Sequence, residues 1–192
     1  PQRGRFVPNL TFEPIDFQSV NIDELIAECS IDHCVAPVAD TIGGAQAAQH
    51  RWQHFKRSGL SRYHLDRNDP LKRGVSRMSP YLHYGHISPF RLAREAINYG
   101  KGGRKYLDEL LNWRELAYHW CWHTENPNEM SALPGWARLS LERDRPRKEE
   151  SYGWEDLAYS RTNEELWNIC QSQLLRFGEL HNNLRMSWGK QI

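Results

Sequence analysis

Apolar positions recur at helical spacing through most of the chain. Ile22, Leu25, Ile26 and Cys29 repeat behind Asn21-Ile22-Asp23-Glu24, where the asparagine and the glutamate three positions on resemble a capping box, so a helix is predicted to about Cys29. Gly43-Gly44 opens a second helical stretch with Ala48, Trp52 and Phe55 on one face, and Gly59 is placed to close it. Ser79-Pro80 and Ser88-Pro89 each set a serine suited to an N-cap before a proline suited to a first helical turn. Two helices are therefore predicted, the first a short one ended by Gly85, the second running from Pro89 to Tyr99 and stopped by Gly100. The Gly102-Gly103 pair reads as a break. From Arg104 to His123 Leu107, Leu110, Leu111 and Cys121 form a core stripe, while Tyr106, Glu109 and Trp113 lie three and four residues apart on a neighbouring face.

Further on, Thr162-Asn-Glu-Glu165 has the form of a capping box and leads a helix with Leu166, Trp167, Cys170 and Leu174 inward and Gly178 at its end. From Glu179 to Gln191, Leu180, Leu184 and Trp188 share one stripe and Asn182, Arg185 and Met186 another. Residues 1–18 read as an extended linker, 62–74 as a charged loop, and 126–147 as irregular, with three prolines and a run of mixed charge. No stretch alternates as a strand does. The expectation is an all-α chain, a linker over residues 1–18 followed by one helical domain over 19–192. The proline-rich start and a last helical pattern without a stop signal suggest a piece of a longer protein.

Composition narrows the picture. Twenty-five basic residues nearly balance 24 acidic ones, so any affinity for nucleic acid has to come from local patches. The four cysteines form no CxxC pair and read as reduced, mostly buried thiols of an intracellular protein. Cys29, His33 and Cys34 are too few ligands for a metal site, and His119 and His123, four apart on one helix, lack a third, so no metal is expected. No apolar run approaches membrane-spanning length.

Three groups carry candidate chemistry. Ser76 and Ser79 stand where free backbone N–H groups at a helix start favour a phosphate, although the same serines also suit ordinary caps. Arg67, Lys72 and Arg73 suit a phosphate-contacting loop or a solvated connection. Glu109 and Trp113 project a carboxylate beside an indole, equally the pattern of a surface glutamate next to a core tryptophan.

Ser76-Arg77-Met78-Ser79-Pro80-Tyr81-Leu82, followed by Gly85 and Ile87-Ser88-Pro89, resembles the flavin-phosphate segment of the photolyase/cryptochrome family. The resemblance continues in order through Tyr63 and Arg67-Asn-Asp-Pro70, Tyr106-Leu-Asp-Glu-Leu-Leu-Asn-Trp-Arg-Glu-Leu116 and His181-Asn-Asn-Leu-Arg-Met186. Ser-Pro-Tyr-Leu-His-Tyr-Gly, Pro134-Gly-Trp-Ala137, Leu166-Trp-Asn168 and Arg185-Met-Ser-Trp-Gly-Lys190 are similar to the class II branch of cyclobutane pyrimidine dimer photolyases. Two positions depart: class II members usually carry glycine where Asn182 stands, and a threonine is frequent where Val75 stands. The family's N-terminal α/β antenna domain, its acidic flavin-contacting residues and its last helices have no counterpart here.

The resemblance implies a helical FAD-binding domain, incomplete at its C-terminal end. Tyr63, Val75, Ser76, Arg77, Met78 and Ser79 would hold the flavin phosphates and ribityl chain, with Tyr106 and Arg185 lining the same cavity. Glu109 and Trp113 would face a pyrimidine dimer flipped out of UV-damaged DNA, the indole stacking on it and a protonated carboxyl group meeting a pyrimidine carbonyl. Asn182 and Met186 would border that pocket. Arg67 would grip a DNA phosphate, with Arg114 and Asn183 on the same DNA-binding side. Light-excited reduced FAD would pass an electron to the dimer and recover it after ring splitting. Trp167 and Trp188 match positions of a tryptophan wire that reduces the flavin, though core packing is their other possible role. An antenna pigment belongs only to the missing domain. The family reading expects a monomeric, cytoplasmic protein that meets DNA in the nucleoid or nucleus. A cryptochrome-like receptor without repair and a cofactor-free helical fragment are the alternatives.

Overall fold

A computed structural model describes Thr11, Asp16, residues 18–144 and residues 152–189. Most of the predicted linker, the charge run beyond Asp144 and the end of the last helical pattern lie outside the described residues. Two compact units meet in the chain between Pro37 and Val38.

The first unit carries α1 (Ile22–Glu28). Its cap forms as predicted: Asn21 Oδ1 accepts from Asp23 N, and Asn21 Nδ2 donates to Glu24 Oε1 at 2.9 Å. Ile22, Leu25 and Ile26 nevertheless remain exposed, so the helix rests on its cap and backbone bonds.

The second unit holds ten helices among the described residues: α2 (Ala45–Ser58), α3 (Tyr63–Asp66), α4 (Ser79–His83), α5 (Pro89–Ala96), α6 (Gly100–Leu107), α7 (Arg114–His123), α8 (Gly135–Asp144), α9 (Trp154–Ala158), α10 (Glu165–Phe177) and α11 (Asn182–Trp188). No described residue lies in a strand. One buried cluster organises it. Ala48, Trp52 and Phe55 of α2 meet Leu60, Tyr63, Met78, Tyr81, Ile87, Leu92, Ala96, Tyr106 and Leu110. Trp52 is wholly buried, and its indole N–H donates to Glu95 Oε2 at 2.9 Å, which keeps the largest core side chain from stranding a polar atom.

Several expectations need correction. Gly102-Gly103 does not break the chain, because both glycines lie inside α6. A Cβ on Gly102 would sit 2.0 Å from Leu60 O, and one on Gly103 2.0 Å from Ala96 O. The pair is there to bring helix backbone against backbone. Ser79 occupies the first turn of α4 instead of its cap, Met78 taking the cap position, and neither Ser79 nor Ser88 makes a side-chain cap bond. Gly85 does end α4 at φ +69°, with His86 N returning to Tyr81 O at 2.8 Å in a Schellman-type closure.

The charged stretch 62–74 is not a plain loop. It contains α3 and a 3₁₀ turn at Pro70–Lys72 that Asp69 caps through Leu71 N. The region 126–147 holds α8, whose first turn follows Pro134, where a missing N–H costs nothing. The Thr162 device also differs: Thr162 Oγ1 accepts from Glu164 N at 3.1 Å, and the side chain reaching back is that of Asn168, not Glu165.

The inward stripes predicted beyond residue 110 are largely absent. Leu107 and Leu111 pack against the cluster from partly buried positions, whereas Cys121, Leu166 and Leu174 are exposed and Trp167 and Cys170 half-buried. Cys29 and Cys34 are exposed too, so the expectation of mostly buried thiols fails. The one stripe that holds in part is Leu180, Leu184 and Trp188, all partly covered.

Candidate functional site

Four aromatic rings form one wall. Tyr106 stands 5.4 Å from Trp52 and 5.8 Å from Phe55 by ring centroid, and meets Tyr63 edge-on at 5.3 Å. The Tyr106 hydroxyl emerges from this wall to donate to Ser76 Oγ at 3.4 Å. Burial pushes the Tyr106 phenol well above the ordinary tyrosine range. It raises Tyr63 as well, against the pull of the neighbouring Arg67 guanidinium. Both therefore act as neutral hydroxyls.

At the other end of the wall lies a group of charges. Arg67 follows α3, its guanidinium 5.7 Å from the centroid of the Tyr63 ring, and its Nη2 reaches Glu109 Oε1 at 2.7 Å. Lys105 Nζ approaches the same oxygen at 2.9 Å and Asp108 Oδ2 at 2.6 Å. Lys105 depresses the Asp108 carboxyl, and Asp108 in turn raises the lysine. Glu109 Oε1 thus lies between two cationic side chains, Arg67 and Lys105.

The backbone that presents Glu109 is not α-helical. Residues Asp108–Trp113 form a π-helical turn between α6 and α7, a wider winding that re-aims successive side chains and recurs at functional sites. Trp113 leaves this turn 60% exposed, an indole face open to a stacking partner. Arg114, next along, donates to the Tyr118 hydroxyl at 3.1 Å and lies over its ring.

The segment before α4 is strained. Arg73 and Arg77 adopt left-handed backbone, at φ +49° and +54°, a conformation costly for side chains with a Cβ. Arg77 is fixed by ion pairs to Asp40, at 2.9 Å, and to Glu179. Within the segment Ser76 Oγ accepts from Met78 N, the Met78 side chain enters the core, and Ser79 stays exposed. Val75, Ser76 and Arg77 line an open groove of about 700 Å³ together with His50, Arg51 and His54 of α2.

The corner between α10 and α11 closes on this segment. Besides the Arg77–Glu179 pair, Asn183 Nδ2 donates to Asn68 O at 2.7 Å. Arg185 Nη2 donates to Asn182 Oδ1 at 2.7 Å, and Met186 is half-exposed. His181 Nδ1 accepts from Asn183 N at 3.3 Å, which puts the ring proton on Nε2, a buried atom with no partner. That orphaned donor, with the hydroxyls of Tyr63, Ser76 and Ser79, suits a cofactor with phosphate, ribityl or carbonyl oxygens.

Sequence reasoning missed Lys105 and His181. Lys105 was legible as the i,i+4 partner of Glu109, and His181 as the capping residue of α11, whereas the Arg77–Asp40–Glu179 bridge joins segments with no local signal. Trp167 and Trp188 do meet, edge to face at 5.5 Å, and Trp167 Nε1 donates to Leu157 O at 3.2 Å. His119 and His123 stack at 4.3 Å, and no third metal ligand joins them among the described residues. No described helix is long and apolar enough to cross a membrane.

No family model matches the chain. It is similar to the deoxyribodipyrimidine photo-lyase of Methanothermobacter thermautotrophicus, 35% identical over 78% of this chain and 34% of the relative. The rice protein of the same name is 37% identical over 72% of this chain and 28% of its own length. That of Arabidopsis thaliana is 30% identical over all of this chain and 40% of its own. The chain thus spans roughly a third of the length of these curated relatives.

Proposed function

Because the chain belongs to the deoxyribodipyrimidine photo-lyase family, we propose that it forms part of the flavin- and DNA-handling region of an enzyme that splits cyclobutane pyrimidine dimers with light. One observation carries the reading. A single aromatic wall joins Ser76, in the segment suited to a phosphate, to the Arg67–Glu109 pair beside an exposed Trp113.

FAD, when bound, would supply the excited electron. The chain's own residues do the rest. Tyr63, Ser76 and Ser79 offer neutral hydroxyls to phosphate and ribityl oxygens, His181 offers its free Nε2–H, and Val75, Arg77, Met78, Tyr106 and Arg185 shape the enclosure. Their fixed dipoles bind without reorganising. Trp113 stacks on the rings of a flipped-out dimer, an interaction worth about 1–3 kcal/mol per base. Asn182 and Met186 border the lesion. Arg67, Arg114 and Asn183 act toward the DNA backbone, Arg67 by a charge-assisted contact to phosphate. The edge-to-face pair of Trp167 and Trp188 is close enough for electron exchange between the indoles, which supports their role as a reducing relay. A monomer acting on DNA inside the cell fits this reading.

The test is direct. The purified chain, mixed with FAD and freed of excess, is assayed for flavin on denaturation and then for light-dependent repair of an ultraviolet-damaged oligonucleotide. Repair that falls when Glu109 or Trp113 is changed to alanine supports the proposal. Flavin photoreduction without preference for damaged DNA would favour a receptor instead, and absence of flavin would refute cofactor binding by this chain.

A further inference from the structure

Arg67 has two claims on it. Its side chain is 17% exposed and its Nη2 is held by Glu109 at 2.7 Å, yet the function proposed above needs the same group for a DNA phosphate. Glu109, whose Oε1 is shared by Arg67 and Lys105, is in the same reading the group that meets a pyrimidine. With Nη2 held at Glu109 Oε1 and most of the side chain covered, that arm of the guanidinium is not open to a phosphate in the geometry seen.

Lys105 makes an exchange feasible. It already contacts Glu109 Oε1 at 2.9 Å from one turn earlier on the same run of helix, so releasing Arg67 leaves the carboxylate with a cation and does not strand it. Asp108 anchors Lys105 in place at 2.6 Å.

We propose that Glu109 serves as an internal phosphate mimic that occupies Arg67 while no DNA is bound, so that capture of a backbone phosphate by Arg67 and release of Glu109 toward the lesion pocket are one exchange. Lys105 is the positioning residue that keeps Glu109 oriented afterwards. No covalent bond changes; one ion pair replaces another. The inference rests on the repair reading and adds a regulation to its site: lesion chemistry becomes available only once the DNA backbone is seated.

The exchange leaves a mark on binding to undamaged DNA, where no lesion contacts Glu109. Fluorescence anisotropy of a labelled undamaged duplex is measured against salt for the wild-type chain and for Glu109→Gln, Glu109→Asp, Arg67→Gln and the Arg67→Gln/Glu109→Gln double variant. Circular dichroism verifies that each is folded. Removing the competitor should tighten binding about fivefold in Glu109→Gln, in keeping with a partly exposed ion pair. The slope of log K against log salt should change little, because Arg67 neutralises the same phosphate in both proteins and Lys105 keeps the freed carboxylate paired. Glu109→Asp keeps the charge but draws the carboxylate back from Arg67, so it too should tighten binding. In the Arg67→Gln background the Glu109 change should have little effect.

Tightening of equal size with and without Arg67, or none in Glu109→Asp, would mean a general charge effect and would overturn the exchange. Weaker binding in Glu109→Gln would overturn it as well. A wild-type chain that binds no duplex even at low salt would sink the DNA reading itself, a separate and recognisable result.

Discussion

Glu95 offers the sharpest test of how α2 is fastened to α5. Its Oε2 accepts from Lys56 Nζ at 2.5 Å and Trp52 Nε1 at 2.9 Å, and its Oε1 from Arg91 Nε at 3.0 Å. Lys56 foremost, with Arg91 and Trp52, lowers the carboxyl from 4.5 to about 2, against an opposing effect of burial. A folded-state value below the unfolded one means stability that is complete above pH about 4.5 and lost as pH falls through about 2. Converted in full, the gap is worth about 3 kcal/mol. Glu95 keeps 28% of its side chain exposed and Arg91 39%, so solvent screening reduces this to about 1–2 kcal/mol. Glu95→Gln keeps the shape and an oxygen for the Trp52 indole but removes the charge. Urea unfolding followed by far-ultraviolet circular dichroism should show the variant about 1–2 kcal/mol less stable at pH 7, and by pH 2.5 about a quarter of that difference should remain. A difference of the same size at both pH values would refute the electrostatic account, and no difference at pH 7 would refute the network's role altogether.

Gly102→Ala, which sets a Cβ 2.0 Å from Leu60 O, should cost at least about 3 kcal/mol in thermal unfolding, while Gly135→Ala, with nothing within 4 Å, should be close to neutral. Alkaline titration followed at the phenolate absorbance should show Tyr63 and Tyr106 ionising above the ordinary tyrosine range. Because both are raised by burial, stability should fall as pH climbs above about 10, where the unfolded chain releases protons that the folded chain keeps. If the chain loads with flavin, Trp167→Phe should slow photoreduction at least about tenfold by transient absorption while leaving flavin release on denaturation unchanged; an unchanged rate would remove the indole pair from the relay.

How much of this was legible in the sequence depended on where each residue's partners lie. Caps and stops made within a few residues were readable: the Asn21 cap on Glu24, the left-handed Gly85 and the end of α10 at Gly178 all fall where predicted. Ala48, Trp52 and Phe55 were recognisable as a core face because α2 buries one side against its neighbours. Gly102 and Gly103 were misread because a glycine pair looks alike whether it frees the chain or admits a neighbouring backbone. Only the nearness of Leu60 and Ala96, set by the tertiary fold, tells the two apart.

The site divides in the same way. Glu109 and Trp113 were legible as an i,i+4 pair, and so was Lys105 as the residue four before Glu109. The π turn was not, since one extra residue per turn leaves no composition signal and changes only which side chains share a face. Its effect decides the chemistry. Leu110 turns into the core while Glu109 turns to Arg67 and Trp113 to solvent, so a carboxylate and an indole four residues apart meet different surroundings. In a straight α-helix Trp113, three residues on, would share the face of Leu110. The turn instead separates the residue that holds the core from the two that face outward, and the fold can thereby keep an ion pair and an open aromatic face on one stretch of backbone.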